Sequence, residues 1–258
     1  MFAPSQEDVR RFFCETWRRQ RDGLPLDPMQ AKAAPWLTQH PEYDGDLADE
    51  AAALARHTGG WAAALHLFHT PEYVAALQRA EATGAVDDAT RARHQIGTLS
   101  NPVFPEIYSR PATGAGAVML AAELLAHAGA GAIHVPGGGT HHGLPDRAKG
   151  FCYLNDPVLA LHAFRRAGLT RLAYVDIDAH HCDGVEPAFA GDPDMLMISV
   201  HEENRWPFTG ALTDTAGGSA YNLPVPRGLN DTEFRTILDG LILPRLQAFQ
   251  PQAIVLQA

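Results

Sequence analysis

The feature that most constrains the fold is an apolar segment that leads directly into a cluster of acids and histidines. Leu172 to Val175 and Ile177 form the kind of apolar run that a parallel sheet buries on both faces. Side chains alternate along a strand, so Asp176, Asp178 and, if the extended path continues, His180 project from one side. The sequence therefore predicts a buried strand whose carboxyl end carries two carboxylates and an imidazole.

This cluster of charged groups requires a partner. Unpaired charges there would cost several kcal/mol, so a cation should sit among them. Carboxylate oxygen with imidazole nitrogen suits Zn²⁺, with Fe²⁺ as the alternative, better than Ca²⁺. We therefore predict that Asp178 and His180 are metal ligands. The competing interpretation is a set of hydrogen-bonded structural residues, because 13 histidines make some adjacency expected by chance.

A second polar stretch favours the metal-site interpretation. The segment GGGTHHG, residues 137–143, places His141 beside His142 after a glycine run that allows sharp turns and close backbone approach. It follows a short apolar run, Ala132 to Val135, for which we predict another strand. The catalytic groups thus all follow predicted strands, where parallel sheets place their sites.

The pattern along the rest of the chain predicts alternating strands and helices. Thr70 followed by Pro71 is a helix start, with Thr as the cap. Further helices are predicted for 49–67, 114–127, 155–167 and 231–249, and strands for 172–178, 195–200 and 252–257, the last as a buried strand. Such alternation indicates βαβ units and a parallel sheet covered on both faces.

Four ordered segments resemble the zinc-dependent histone deacetylase family, which includes bacterial acetoin-utilisation and acetylpolyamine amidohydrolase relatives. They are GGGTHHG (137–143), KGFCYLND (149–156), YVDIDAHHCDGVEPAF (174–189) and ISVH (198–201), and HTPEYV (69–74) has a weaker likeness. The resemblance implies an α/β fold, a three-layer αβα arrangement with a mostly parallel central sheet, arginase/deacetylase-like. It also implies one deacetylase-like domain over residues 1–258.

The resemblance assigns roles residue by residue. It implies that Asp178 and His180 bind the metal and that His141 and His142 flank the scissile bond. Asp176 would orient His141, and Asp183 would orient His142. These pairings agree with the chemistry of histidine, which holds one tautomer only when its other nitrogen is fixed by a partner.

The resemblance also implies a substrate channel and a second cation. The channel, narrow enough for an acyl-lysine chain, would be lined by Gly150, Phe151 and Phe208, although aromatic residues are more often simply core. A structural K⁺ would be held by Asp176, Asp178, His180, Ser199 and Val200.

Several departures from the family pattern bear on function. Ser100 stands where many members have a rim Asp that holds the substrate backbone, and Asn101 is the candidate substitute. The family's third metal ligand, an Asp, and its transition-state Tyr would follow Ala258. We therefore expect a domain that lacks its C-terminal part as given; the alternatives are a partner that completes the site and an inactive remnant.

Composition limits the partners. The formal charge of −10 argues against direct nucleic-acid binding, because phosphate recognition needs a basic surface, and it is compatible with cationic substrates. Three cysteines without CxxC spacing favour a reducing cytoplasm over a disulfide framework. No stretch reads as a signal peptide or a membrane span. A homo-oligomer is left open.

The sequence thus predicts a metal-dependent amidohydrolase that removes an acetyl or other acyl group from an N-acetylated amine, either acetylated protein or a small molecule. The metal would polarise the acetyl carbonyl and acidify a water molecule, and His142 with Asp183 would accept the water proton. One alternative is an arginase-like dinuclear manganese ureohydrolase, because the Asp-Ala-His segment at residues 178–180 resembles its motif. The other is a non-catalytic acetyl-group binding remnant.

Overall fold

The computed structural model describes residues 6–39, 47–48 and 61–258. The chain divides into two compact units, 1–63 and 64–258. The first unit contains helices α1 (Gln6–Arg21) and α2 (Pro28–Gln39). Most of the helix predicted for 49–67 lies outside the described residues, and its end forms α3 (Trp61–Ala64) and a 3₁₀ turn, Leu65–Leu67. The single domain over 1–258 stays a prediction.

The centre of the second unit is a parallel sheet. Its strands, among the residues that the structure describes, are β1 (Leu172–Asp176), β2 (Met195–Glu202), β3 (Ala220–Val225) and β4 (Ala253–Gln257). The strand order is β3-β2-β1-β4, and all three neighbouring pairs are parallel. Asp176 lies opposite Ser199 in the β1–β2 register. The predicted parallel sheet is confirmed.

Helices cover both faces of this sheet. The helices of the second unit are α4 (Pro71–Thr83), α5 (Asp88–His94), α6 (Ser109–Ala128), α7 (Asp156–Arg166), α8 (Asp231–Ile237) and α9 (Leu243–Phe249), with a π-helical segment, Leu238–Ile242, between the last two. On one face α6 packs against α7, and α7 contacts β4. On the other, the 231–249 segment packs on Ala173, Val175 and Ile198. The three-layer αβα prediction is confirmed.

Local signals place the starts of α4 and α8 where the sequence predicts them, whereas α6 begins at Ser109, five residues earlier than predicted. The Thr70 side chain accepts a hydrogen bond from the Tyr73 backbone N–H, so it caps α4 as expected. Asn230 and Glu233 form a reciprocal capping box at the start of α8. None of the described helices is long and apolar enough to cross a membrane.

Several predicted elements differ from the structure. Residues 132–135 are not a strand, because they are largely exposed and form no ladder with β4. Strand β4 is half exposed rather than buried, since among the described strands it pairs only with β1, at the edge of the sheet, and leaves Ile254 and Leu256 accessible. Strand β1 ends at Asp176, two residues earlier than predicted. Strand β3 was not predicted; it contains Pro224, which interrupts the strand pattern.

Candidate active site

The glycine run before the two adjacent histidines is held by one buried carboxylate at the start of α7. Asp156 accepts hydrogen bonds from the backbone N–H groups of Gly139 and Thr140, at 2.8 and 2.7 Å, and from the Thr140 hydroxyl. A Cβ at Gly138 would meet the same carboxylate at 2.8 Å, so this position has no room for a side chain. Burial raises the pKa of Asp156, although these donors oppose the shift.

Two further buried residues, Asn155 and His69, stabilise the same loop through hydrogen bonds. Asn155 donates its side-chain N–H groups to the carbonyls of His141 (3.2 Å) and Gly143 (2.9 Å). Its backbone N–H donates to Nε2 of His69 at 2.9 Å, while Nδ1–H of His69 donates to the Leu144 carbonyl at 3.1 Å. The His69 ring is therefore neutral with its proton on Nδ1, and burial lowers its pKa to about 4. His69 thus connects the start of α4 to the loop of the two histidines.

The structure brings the four predicted catalytic residues together as two buried histidine–aspartate pairs. Nδ1 of His141 lies 2.6 Å from Oδ2 of Asp176, and Nδ1 of His142 lies 2.6 Å from Oδ1 of Asp183. The two Nε2 atoms are 3.0 Å apart, and none of the four residues is more than 8% exposed. The predicted orienting contacts are thus present, and both Nε2 atoms converge on one point.

The two pairs differ in their electrostatics. Burial acts to lower the pKa of His141, but the hydrogen bond and charge of Asp176 outweigh it and raise that pKa. Burial, reinforced by the nearby His141, lowers the pKa of His142 despite its bond to Asp183. Burial would raise the pKa of Asp183, but hydrogen bonds from His142 and Lys149 lower it instead. His141 is therefore the more cationic of the two imidazoles, and His142 is the more neutral.

The two predicted metal ligands also lie together. Oδ1 of Asp178 is 2.9 Å from Nδ1 of His180, and both side chains are about one-third exposed. This separation is shorter than the about 3.4 Å between two ligand atoms that are each about 2.1 Å from one Zn²⁺. The two side chains would therefore have to move slightly apart to bind an ion. The same carboxylate is 3.8 Å from Nε2 of His141. The pair is therefore positioned to face the histidines.

This donor set supplies two metal ligands. A catalytic Zn²⁺ takes three protein ligands, and over 6–39, 47–48 and 61–258 no group of three or more His, Cys, Asp or Glu side chains is arranged to hold a metal. The metal, zinc or iron, therefore stays a prediction. The K⁺ also stays a prediction: Ser199 and Val200 lie on β2 beside Asp176, but the Ser199 hydroxyl donates to Nδ1 of His201 at 2.9 Å.

The predicted channel residues occupy different environments. Phe151 and Phe208 are 65% and 73% exposed, each with a positive φ, and Phe208 borders a separate groove near Leu212. Gly150 lies against the indole of Trp206, which no sequence motif singled out although it stands two residues before Phe208. The channel roles of Gly150, Phe151 and Phe208 therefore stay predictions. Trp206 is a further aromatic residue beside Gly150.

Asn101 does not reach the rim of this site. It is 3% exposed and donates to the Ala148 carbonyl at 3.2 Å, while its Oδ1 accepts from the Phe151 backbone N–H at 3.0 Å. The expectation that it substitutes for a rim Asp is contradicted, because its side chain is fully used in building the turn that carries Phe151. Ser100 is exposed beside it.

Comparisons with known proteins point to one family. A family model described as histone deacetylase domain matches residues 34–258, and a domain of unknown function, DUF1841, matches residues 5–62. Histone deacetylase 8 of Xenopus tropicalis is 36% identical over 197 residues, which cover 74% of this chain and 53% of that protein. Acetoin utilization protein AcuC of Bacillus subtilis (strain 168) is 31% identical over 201 residues, 75% and 51% of the two chains.

Solved structures give the same result. An HDAC homolog from Aquifex aeolicus superimposes with a TM-score of 0.69 at 32% identity, over 75% of this chain and 53% of that one. The chain thus spans about half the length of the curated relatives it matches. The matched segment contains both histidine–aspartate pairs and the whole sheet that positions them. The chain therefore belongs to the histone deacetylase family.

Proposed function

We propose that this chain is a metal-dependent amidohydrolase that removes an acetyl group from an N-acetylated amine such as acetyl-lysine or an acetylpolyamine. The observation that carries the proposal is the pair of His–Asp contacts, at 2.6 Å each, whose Nε2 atoms meet 3.0 Å apart. Amide hydrolysis needs a base for water and an acid for the leaving amine, and two differently biased imidazoles at one point can supply both. Membership of the histone deacetylase family supports the same chemistry.

The residues act as follows in this proposal. Nε2 of His142 accepts a proton from the attacking water, and Asp183 stabilises the imidazolium that forms. His141, held by Asp176, stabilises developing charge and gives a proton to the departing amine nitrogen. Asp178 and His180 would hold the ion, which when bound would polarise the acetyl carbonyl and acidify the water. The products are acetate and the free amine.

The test is acetate release from an acetyl-lysine peptide, an acetylpolyamine and an unrelated small acetamide, with and without added zinc. Replacing His142 by Ala should lower turnover at least ~100-fold, the usual scale for a general base. His127→Ala is the matched control, because this histidine is exposed in the last turn of α6 and bonds only to its own helix. Unchanged turnover in His142→Ala would refute the role of this residue.

A second candidate is binding of acetylated amines without hydrolysis. It is favoured by the two-donor arrangement of Asp178 and His180, which gives two of the three protein ligands of a catalytic zinc. Tight binding of acetyl-lysine or acetylpolyamine with no acetate release, measured on zinc-loaded protein, would select it over the hydrolase. The family assignment argues against the arginase-like alternative.

A further inference from the structure

The guanidinium of Arg205 is bonded to a predicted metal ligand. Its Nε–H donates to Nε2 of His180 at 3.2 Å. One of its terminal nitrogens, Nη1, pairs with the Glu202 carboxylate at 2.8 Å. A cationic donor at this position competes with a metal ion, because the ion also needs a lone pair of the imidazole.

The other ring nitrogen of His180 faces a carboxylate. Nδ1 lies 2.9 Å from Oδ1 of Asp178, the second predicted ligand. The same oxygen accepts the backbone N–H of His180 at 2.7 Å, which closes the turn between the two residues. Because a carboxylate oxygen accepts and the guanidinium donates, the ring hydrogen is on Nδ1 and the lone pair is on Nε2. Both nitrogens of His180 are thus bonded to other side chains.

An ion held by Asp178 and His180 conflicts with this arrangement whichever ring nitrogen it uses. Binding through Nε2 needs the lone pair that accepts the hydrogen bond from Arg205. Binding through Nδ1 leaves the ring hydrogen on Nε2, where it faces the Nε–H group of Arg205. The guanidinium is also permanently charged, so it repels a divalent cation. Arg205 must therefore leave His180 before these two residues bind a metal.

Glu202 gives the guanidinium a second anchor. This ion pair joins residues three apart in the chain and does not involve His180. The Arg205 side chain is 41% exposed, so it can turn towards solvent while it keeps the pair. The backbone is held separately, because the Phe208 N–H donates to the Arg205 carbonyl at 2.9 Å. Release of His180 thus requires a side-chain movement and no refolding of the turn.

We propose that Arg205 competes with the metal ion for His180, so that the site takes up an ion only when this guanidinium moves away and stays paired with Glu202. Arg205 acts through His180 and is therefore a positioning residue. In the metal-free chain it holds the imidazole in place and lowers the affinity of the site for divalent cations. The inference rests on the proposed function, because it concerns regulation of the same metal site.

The test is zinc affinity, measured on metal-free protein by competition with a chromophoric chelator. Arg205→Met removes the donor and the charge, so zinc should bind at least ~10-fold more tightly, the lower end for one hydrogen bond to a charged group. Arg205→Lys should gain less, because the ammonium keeps the charge. Equal or weaker zinc binding in Arg205→Met would overturn the inference.

Arg91→Met is the matched control. Arg91 pairs with Asp88 at 2.8 Å, also three residues away, and its side chain is exposed to a similar extent. Its replacement should leave zinc affinity unchanged. The 13 histidines of the chain provide other positions for zinc, so native and Arg205→Met are also compared after His180→Ala. The gain should then disappear, and a gain that persists would refute an action through His180.

A second measurement needs no metal. The ¹⁵N signals of the His180 ring, identified by their loss in His180→Ala, should show the hydrogen on Nδ1 in the metal-free native chain. A hydrogen on Nε2 would exclude the bond from Arg205 and contradict the inference.

Acetate release separates this inference from the proposed function. If Arg205→Met binds zinc more tightly but no zinc-loaded chain releases acetate, the hydrolase proposal fails and this inference stands. If acetate is released and the two chains bind zinc equally, this inference is overturned and the hydrolase proposal stands. If neither chain binds zinc, the inference fails together with the assignment of Asp178 and His180 as metal ligands.

Discussion

His69 offers a prediction whose size follows from the structure. Its ring is 1% exposed, donates to Leu144 and accepts from Asn155, so the folded chain keeps it neutral. Burial lowers its pKa from 6.5 to about 4. Below pH 6.5 the unfolded chain binds a proton that the folded chain does not, so the free energy of unfolding falls as the pH drops.

The magnitude comes from the same two pKa values. A difference of 6.5 against about 4 corresponds to about 3 kcal/mol once both states are protonated. About 2 kcal/mol of this is lost between pH 7.5 and pH 5. A glutamine does not titrate, so it adds no pH dependence to the free energy of unfolding. His69→Gln, which keeps an acceptor for Asn155, should therefore be less stable than the native chain at pH 7.5. Its free energy of unfolding should fall by about 2 kcal/mol less than that of the native chain on acidification to pH 5.

The measurement is a series of urea titrations of the native chain and His69→Gln between pH 7.5 and pH 5, followed by circular dichroism. Because all other titrating groups are shared, the difference between the two chains isolates His69. His127→Gln serves as the control, since its ring is exposed and bonds only within its own helix among the described residues. Parallel pH dependences for the native chain and His69→Gln would show that His69 is not held neutral.

Two further substitutions test the support of the catalytic loop. Asn155→Ala removes the cap of α7 and leaves the carbonyls of His141 and Gly143 without their donors. The free energy of unfolding, measured by urea titration, should therefore fall by about 3 kcal/mol. A decrease of less than about 1 kcal/mol would contradict this reasoning. Tyr174→Phe removes the hydroxyl that donates to Oδ2 of Asp176 at 2.6 Å, the oxygen that also faces His141. Acetate release should fall ~10-fold while stability changes by about 1 kcal/mol, and an unaltered rate would rule out this contribution.

The sequence predicted the sheet and the polar cluster well because both depend on local pattern. The apolar run before Asp176 and the helix that precedes this strand have few alternative structures. The His–Asp contacts were also anticipated, because the resemblance to the histone deacetylase family assigns Asp176 to His141 and Asp183 to His142.

What the sequence did not predict depends on contacts between distant segments. The apolar run 132–135 satisfies the strand pattern, yet a strand requires a hydrogen-bonded partner strand, which this run does not have in the described part of the chain. Trp206 carries no motif of its own, and only folding places it on Gly150. Asn101 shows the converse: its position suggested the rim, but burial directs its amide into the backbone.

The hydrogen bonds through His69 also link the exchange behaviour of segments far apart in sequence. The Thr70 amide donates to the Pro145 carbonyl at 2.9 Å, and the Asn155 amide donates to His69 itself. Withdrawal of residues 69–70 from the loop would break both hydrogen bonds in a single opening event, so deuterium should enter the two amides at a common rate. The turn before α4 and the loop of the two histidines would then behave as one cooperative unit, which loosens together or not at all.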